Sequence, residues 1–197
     1  MPPSLRYRIG SEAILELVVG DITNETTCAI VNAANSSLLG GGGVDGAIHR
    51  VAGPSLLEEC RKIREQRGPL SAGQAVITSG GNLKSRYVIH TVGPVWQGGQ
   101  KNEPQILESC YCHSVEQANL KACGSVSFPS VSTGAFGYPV GPAAQIALRA
   151  IADLLHTPKT VKLVRFVLFD QRTFKAYSAA AEELSRDFPN YEIRPEA

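Results

Sequence analysis

Short apolar segments alternate with longer amphipathic segments along most of this 197-residue chain. The apolar segments are rich in valine, isoleucine and phenylalanine, as β-strands are. The amphipathic segments repeat apolar residues at helical spacing. Predicted strands cover residues 5–9, 13–19, 28–31, 75–78, 87–92, 126–128, 163–169 and 191–193, and predicted helices cover 47–52, 54–64, 103–122, 141–154 and 173–186. This order predicts an α/β fold with a mixed, mostly parallel sheet between helices, and antiparallel character in the first two strands.

The chain shows no internal repeat, linker or low-complexity tract, so we expect one domain over residues 1–197. Polar segments beginning at Asp21, Asn32 and Ser130 follow predicted strands, and a fourth segment, Phe169-Asp170, ends the predicted strand that starts at Leu163. In open α/β sheets, ligands bind beyond the carboxyl ends of the strands, and parallel strands end at the same edge. We therefore expect these four segments to meet in one crevice.

The longest of these segments runs from Asn32 to Gly46 and contains four consecutive glycines at residues 40–43. Ordering such a run is costly because glycine loses the most backbone freedom on folding. An ordered run therefore indicates backbone that comes very close to a ligand. A predicted helix follows, and the N–H groups at a helix start suit phosphate oxygens. The stretch predicts an anion-binding loop rather than a floppy connection.

A second glycine-containing loop, residues 134–137, follows the predicted strand at 126–128. Together the two loops can hold a diphosphate with main-chain N–H groups, although residues 134–137 alone are equally an ordinary turn before a helix. Residues 41–46 fit G-x-G-x-x-G, but eight residues separate Val31 from Gly40. No acidic residue ends a following strand at the spacing that a Rossmann fingerprint requires. The P-loop motif is also absent from the sequence.

Several side chains in these segments have both a structural and a functional interpretation. Asp21 either accepts a hydrogen bond from an exocyclic amine, such as that of adenine, or caps the turn after it. Asn32 and Asn35 form turns or read sugar hydroxyls, since an amide both donates and accepts. Phe169 stacks on a base or belongs to the core. Asp45 is an N-cap or a group that positions or deprotonates water. A helix N-terminus favours the ionised form of Asp45, whereas a nearby diphosphate disfavours that form.

The histidines and cysteines give no convincing set of metal ligands. Residues 110–113 read Cys-Tyr-Cys-His, but adjacent and next-but-one side chains on a helix point apart. His49 and His90 are predicted to be structural, and no G-x-S-x-G motif supports serine catalysis. The odd number of cysteines predicts reduced, mostly buried thiols of a cytosolic protein; these are Cys28, Cys60, Cys110, Cys112 and Cys123.

Charge and hydropathy argue against two kinds of partner. The 19 basic and 18 acidic residues give a net charge of +1, which argues against bulk nucleic-acid binding because such proteins usually show a basic face. No apolar run approaches the roughly 20 residues of a membrane span. The N-terminus has no apolar signal-peptide core. We therefore expect a cytoplasmic protein.

Several motifs together resemble those of macrodomains, specifically of the MacroD-type branch. They are Gly20-Asp21-Ile22-Thr23, Val31-Asn32-Ala33-Ala34-Asn35-Ser36, Gly40-Gly41-Gly42-Gly43-Val44-Asp45-Gly46-Ala47-Ile48-His49, Val88-Ile89-His90-Thr91-Val92-Gly93-Pro94 and Ser130-Val131-Ser132-Thr133-Gly134-Ala135-Phe136-Gly137-Tyr138-Pro139. They occur in the family's order over nearly the whole chain. The resemblance implies a three-layer α/β/α sandwich that binds ADP-ribose.

The resemblance also implies roles for individual residues. Asp21 would bind the adenine amine, Phe169 would stack on the adenine, and Phe136 would lie against the distal ribose. Asn35 and Asp45 match the positions linked to catalysis. The implied ligand-binding residues are Asp21, Ile22, Asn32, Gly40, Gly41, Gly42, Gly43, Val44, Ser132, Thr133, Gly134, Ala135, Phe136, Phe169 and Asp170.

MacroD-type enzymes remove ADP-ribose from acidic side chains of proteins and deacetylate O-acetyl-ADP-ribose, and both substrates are esters of the distal ribose. The resemblance therefore implies a metal-independent hydrolase without a cofactor that acts on ADP-ribose esters and mono-ADP-ribosylated proteins. We separately expect a monomer. Many binding-only macrodomains lack the acid found here at Asp45. The alternatives are a non-catalytic ADP-ribose reader and an ADP-ribose 1″-phosphate phosphatase.

Overall fold

The computed structural model describes residues 3–187 and 194–195. Its strands are β1 (Ser4–Ile9), β2 (Ala13–Val19), β3 (Ala29–Ala34), β4 (Ala75–Ser79), β5 (Tyr87–Val92), β6 (Ser125–Phe128), β7 (Leu163–Leu168) and β8 (Arg194–Pro195). Its helices are α1 (Gly43–Ala52), α2 (Pro54–Arg67), α3 (Glu103–Leu120), α4 (Val140–His156) and α5 (Gln171–Asp187), with a 3₁₀ turn at Ile22–Asn24. None of the described helices is long and apolar enough to cross a membrane.

The described strands form one sheet in the order β4-β5-β3-β6-β7-β2-β1-β8. The five strands β5, β3, β6, β7 and β2 are parallel to one another, and β4, β1 and β8 pair antiparallel with the strands beside them. The predicted mixed, mostly parallel sheet is confirmed. Of the first two strands, only β1 is purely antiparallel, because β2 also pairs in parallel with β7.

Helices cover both faces of the sheet, so the predicted three layers are present. Helices α3, α4 and α5 pack on one face, and α1 and α2 pack on the other. The first face encloses the larger core, where burial of aromatic side chains contributes most. At its centre four fully buried rings, Tyr111, Phe128, Phe166 and Tyr177, lie with centroids between 5.1 and 5.9 Å apart.

Two boundaries near the glycine run differ from the prediction. Strand β3 continues to Ala34 because residues 32–34 pair with β5, which supplies ladder hydrogen bonds that the polar sequence does not suggest. Helix α1 begins at Gly43, earlier than the predicted residue 47, so the last glycine of the run belongs to the helix. The predicted strand at 191–193 lies outside the described residues.

The expectation of five reduced cysteines is wrong for one pair. Cys28 and Cys123 form a disulfide, with their Cα atoms 5.5 Å apart. Cys28 immediately precedes β3 and Cys123 lies just before β6, and the parallel pairing of these strands brings the two residues together. Sequence spacing does not reveal this register. Cys60, Cys110 and Cys112 are free.

We expect reduction of this disulfide to lower the melting temperature by about 10 °C, because releasing a long cross-linked loop costs about 4–5 kcal/mol in the chain-entropy model. The loop here spans a separation of 95 residues. Thermal melts with and without a phosphine reductant measure the shift. The double variant Cys28→Ser/Cys123→Ser should melt low and be insensitive to reductant, whereas Cys112→Ser should keep the wild-type sensitivity. Equal melting of the oxidised and reduced wild type would contradict the prediction.

Candidate active site

The polar segments predicted to converge do lie at one edge of the sheet. Strands β3, β6, β7 and β2 are consecutive and parallel, so their carboxyl ends face the same side. Beyond these ends lie the 3₁₀ turn, the glycine loop before α1, the loop at residues 129–139 and the start of α5. The sheet topology therefore creates the crevice that the sequence predicts.

The glycine loop ends at a helix start that no side chain caps. Gly42 is the N-cap of α1, with extended backbone and no side-chain capping hydrogen bond. The first N–H groups of a helix have no partners within the helix, so this end can bind an anion. Asp45 is the third residue of the helix, so its interpretation as the N-cap is wrong.

Two glycines let the loop backbone pass between the two predicted catalytic side chains. A Cβ atom on Gly41 would lie 3.0 Å from Asp45 Oδ2 and 3.1 Å from Asn35 Nδ2. A Cβ atom on Gly46 would lie only 2.5 Å from the carbonyl oxygen of Gly41. The Asn35 and Asp45 side chains therefore both border the position that a Gly41 side chain would occupy, and they leave no room for one.

Asp45 is a buried carboxylate, only 4% exposed. Its Oδ1 accepts a 2.7 Å hydrogen bond from Asn32 Nδ2, and His49 Nε2 lies 3.4 Å from the same oxygen without hydrogen-bonding geometry. Burial raises the pKa of Asp45 above its usual range, although the Asn32 hydrogen bond and the His49 charge oppose the rise. A raised pKa makes a carboxylate a better base near neutral pH.

Asn32 holds Asp45 in place and is itself in contact with His90. Asn32 is fully buried on β3, opposite His90 on β5, and its Nδ2 also lies 3.2 Å from His90 Nδ1. An amide donor at Nδ1 assigns the ring proton to Nε2, which lies 3.0 Å from Thr78 Oγ1. Burial lowers the pKa of His90 to about 3, so the ring is neutral and structural, as predicted. Direct contact of Asn32 with a ligand stays a prediction.

Asn35 stabilises the turn that leads into the glycine loop. Its Oδ1 accepts hydrogen bonds from Ser37 N at 2.9 Å and from Ser37 Oγ at 2.5 Å. Its Nδ2 donates one to the Gly40 carbonyl oxygen at 3.0 Å. The turn-forming interpretation therefore describes the structure. The catalytic role of Asn35 stays a prediction.

The second predicted loop is closed by its own backbone. Tyr138 N donates to the Ser132 carbonyl oxygen at 3.0 Å, and Gly137 N donates to that of Gly134 at 2.9 Å. Thr133 Oγ1 bonds Ser130, and Ser132 Oγ is buried without a partner. The tip, including Ala135, is exposed.

Sequence reasoning missed Trp96 as a support of this loop. Trp96 N donates to the Phe136 carbonyl oxygen at 2.9 Å, and its ring lies 4.5 Å from that of Tyr138. Trp96 follows β5, whose carboxyl end faces the same edge as the other crevice strands. Its position after a strand was the signal that sequence reasoning overlooked.

The far side of the crevice carries the predicted base-binding residues. Asp21 Oδ1 caps the 3₁₀ turn by accepting hydrogen bonds from Thr23 N and Oγ1 at 2.9 and 2.8 Å, and Ile22 is buried beneath it. Phe169 is 85% exposed, so its interpretation as a core residue is wrong. Asp170 caps α5 through Thr173 N at 2.7 Å, and this backbone hydrogen bond lowers the pKa of Asp170.

One cluster of potential metal ligands was not found from the sequence. His49, Cys60 and His90 each place a donor atom within 4.8 Å of the others, although they belong to α1, α2 and β5. By contrast, Cys110 Sγ donates to backbone carbonyls and His113 Nδ1 contacts the Gly73 carbonyl oxygen. The Cys-Tyr-Cys-His run therefore does not converge, as predicted.

This arrangement of loops and strands has a counterpart in a known family. Residues 31–147, which include both loops, match the family model of the Macro domain. The chain belongs to the macrodomain family. It is 52% identical over 172 residues to a macro domain-containing protein of Caldanaerobacter subterraneus subsp. tengcongensis, covering 87% of this chain and 98% of that protein.

Other macrodomain relatives have more informative names. An O-acetyl-ADP-ribose deacetylase of Citrobacter koseri is 55% identical over 158 residues, which cover 80% of this chain and 89% of the relative. An Oceanobacillus iheyensis macrodomain with ADP matches with a TM-score of 0.91 and 46% identity, over 95% of this chain and 100% of that one. A Trypanosoma brucei macrodomain in complex with ADP-ribose matches with a TM-score of 0.76 and 40% identity, over 84% of this chain and 68% of that one.

Proposed function

We propose that this macrodomain hydrolyses esters of the distal ribose of ADP-ribose. Its substrates would be O-acetyl-ADP-ribose and proteins carrying ADP-ribose on acidic side chains. The observation that carries the proposal is the buried Asp45 carboxylate, which lies beside Asn35 where the glycine loop meets α1. The relative named O-acetyl-ADP-ribose deacetylase and the macrodomains with ADP and ADP-ribose support this substrate class.

The crevice offers a group for each part of ADP-ribose. Phe169 presents an exposed ring for adenine stacking, and Asp21 keeps its Oδ2 for the adenine amine because the turn uses Oδ1. The uncapped N-terminus of α1 favours the diphosphate. In this proposal Phe136 bounds the distal ribose, and the unpaired Ser132 Oγ supplies a hydrogen bond to the ligand.

In the proposed reaction Asp45 accepts a proton from water as the water oxygen attacks the acyl carbon. The ester bond then breaks, and Asp45 returns the proton to the leaving ribose oxygen, which restores its carboxylate. Burial, which raises the pKa of Asp45, suits it to this exchange. Asn35 would hold the ribose through its second amide hydrogen. These groups complete the reaction without a metal, so we propose that activity survives dialysis against EDTA.

The decisive test incubates the protein with an automodified ADP-ribosyltransferase and, separately, with O-acetyl-ADP-ribose. Released ADP-ribose in both reactions supports hydrolysis. Binding of ADP-ribose without release from either substrate would identify a reader module instead. Phosphate release from ADP-ribose 1″-phosphate, with both esters left intact, would assign a phosphatase.

Asp21→Ala should weaken ADP-ribose binding by about 10- to 100-fold, because a hydrogen bond to a charged group contributes about 1.5–3 kcal/mol. Calorimetry measures the dissociation constant. Asp21→Asn should recover the turn, since an amide oxygen still caps Thr23. Comparing the two variants therefore separates the effect of losing the cap from the effect of losing the carboxylate charge that binds adenine. An unchanged dissociation constant in Asp21→Ala refutes the adenine contact.

We also propose that the protein acts as a monomer on mono-ADP-ribosylated proteins in the cytoplasm, a compartment in which the Cys28–Cys123 disulfide would be kept reduced. Because the proposed substrates are esters of the distal ribose, a modified protein would be attached at that end of the ligand. Analytical ultracentrifugation with and without ADP-ribose tests the monomer, which should sediment at the mass of one chain. A dimer in either condition contradicts it.

A further inference from the structure

Three side chains beneath the glycine loop carry atoms that bind transition metals. One donor atom from each of His49, Cys60 and His90 lies within 4.8 Å of the other two. Cys60 and His90 are fully buried, so these atoms are held in place by the packing of α2 and β5. Imidazole nitrogens with a thiolate form the kind of ligand set that Zn²⁺ binds.

One pair of donor atoms in the cluster has nearly the spacing of two ligands in a tetrahedral zinc site. Cys60 Sγ lies 3.7 Å from His90 Nε2, and ligands on a zinc ion lie about 3.5 Å apart for nitrogen and sulfur. His49 Nε2 is buried without a hydrogen-bond partner and lies 3.4 Å from Asp45 Oδ1. Asp45 is not among the three side chains whose donor atoms already meet, and its carboxylate would become the fourth ligand only by rotating away from Asn32.

Rotation of the Asn32 side-chain amide would free both His90 Nε2 and Asp45 for a metal. Its Nδ2 faces both Asp45 Oδ1 and His90 Nδ1, while its Oδ1 is buried and unpaired. A histidine bound to metal through Nε2 carries its proton on Nδ1 and needs an acceptor there. Rotating the Asn32 amide by half a turn offers Oδ1 to that proton and releases Asp45. Thr78 Oγ1 loses His90 but keeps its backbone partners, Ser79 O and Val88 O.

We propose that His49, Cys60, His90 and Asp45 form a Zn²⁺ site that inhibits the hydrolase. Four protein ligands close a zinc site, whereas catalytic zinc keeps a position open for water. The bound metal would therefore hold the base away from the substrate. The Cys60 thiol releases its proton to solvent when it binds, and no oxidation is involved. The inhibition rests on the proposed function, but the metal site does not.

Binding is tested with Cd²⁺ as the probe, without thiol reductant so that the metal is not chelated. One equivalent should produce the ultraviolet charge-transfer band of a cadmium–thiolate bond. Cys60→Ser should abolish the band, and the matched variant Cys112→Ser, another free cysteine, should keep it. No band in the wild type, or an unchanged band in folded Cys60→Ser, overturns the site.

X-ray absorption on the wild-type cadmium complex decides the case in which Cys60→Ser does not fold. The expected shell holds one sulfur, with nitrogen and oxygen as the remaining ligands. A shell without sulfur, or with several sulfurs, overturns the proposed ligand set. This measurement needs neither a variant nor hydrolase activity.

Inhibition is tested by titrating Zn²⁺ into the O-acetyl-ADP-ribose assay. One equivalent should lower kcat by about a hundredfold, the scale of a lost general base, and EDTA should restore it. Cys60→Ser should keep the basal activity and lose the sensitivity to zinc. Unchanged or increased turnover with the metal bound overturns the inhibition. A wild type inactive on every ester contradicts the proposed function, while the cadmium band still decides the metal site.

Discussion

Asp45→Asn is expected to lower kcat for both ester substrates by about a hundredfold or more, because a general base contributes about 10²–10⁴-fold. Asparagine keeps the size of the side chain and an oxygen that accepts the hydrogen bond from Asn32. The loss therefore reports the missing base rather than a rearranged site. The dissociation constant for ADP-ribose should stay near the wild-type value. Steady-state kinetics and calorimetry measure the two quantities.

Glu65→Gln supplies the control, because Glu65 is an exposed carboxylate on α2 and its loss should change neither quantity. Asp45→Ala should also lose turnover and keep binding, although it leaves the buried Asn32 amide without its carboxylate partner. Full activity in Asp45→Asn would remove Asp45 from the mechanism. A folded Asp45→Asn that no longer binds ADP-ribose would make the residue a binding group instead.

The pH profile gives a second readout of Asp45. A base acts in its ionised form, so kcat/KM should fall as the pH drops through the pKa of Asp45 in the free enzyme. Burial raises the pKa of Asp45 in the ligand-free protein, so the acid limb of kcat/KM should lie above the usual range of an aspartate. The residual activity of Asp45→Asn should lack this limb. An identical acid limb in both proteins would assign it to another group.

Gly46→Ala is expected to damage the site through the backbone alone. The added Cβ atom would meet the Gly41 carbonyl oxygen at 2.5 Å, and neither atom belongs to a flexible side chain. Overpacking of this kind costs about 1–3 kcal/mol, more than the roughly 1 kcal/mol that alanine gains over glycine in a helix. We expect a lower melting temperature and at least about tenfold weaker ADP-ribose binding, measured by thermal melts and calorimetry.

Gly141→Ala is the matched control, since Gly141 also lies in the first turn of a helix but has open space around its position. It should keep or raise the melting temperature and leave binding unchanged. Wild-type affinity in Gly46→Ala would show that the loop can shift without harm. That result would contradict the close fit of loop and helix as a requirement for binding.

Most of the fold was predictable because periodicity reports which residues are buried. The apolar run Tyr87–Val92 is an interior strand, as its near-continuous hydrophobicity indicates. The start of α1 was less accessible, because glycines carry no periodic signal and the helix begins within the glycine run. The Cys28–Cys123 disulfide depends on the register of β3 and β6, which local sequence does not encode.

The sequence by itself determined the class of fold and the positions of the two glycine loops after strands, because periodicity and turn chemistry are local properties, whereas the convergence of the polar segments required the order of strands in the sheet. Only the tertiary structure decided that Asn32 hydrogen-bonds Asp45, and that His49, Cys60 and His90 form a cluster. These residues lie in different helices and strands, and helix packing on the sheet brings them together. The sequence could not give the direction of the pKa shift of Asp45 for the same reason. Burial is the largest cause of the raised pKa, and it exists only once the layers have packed.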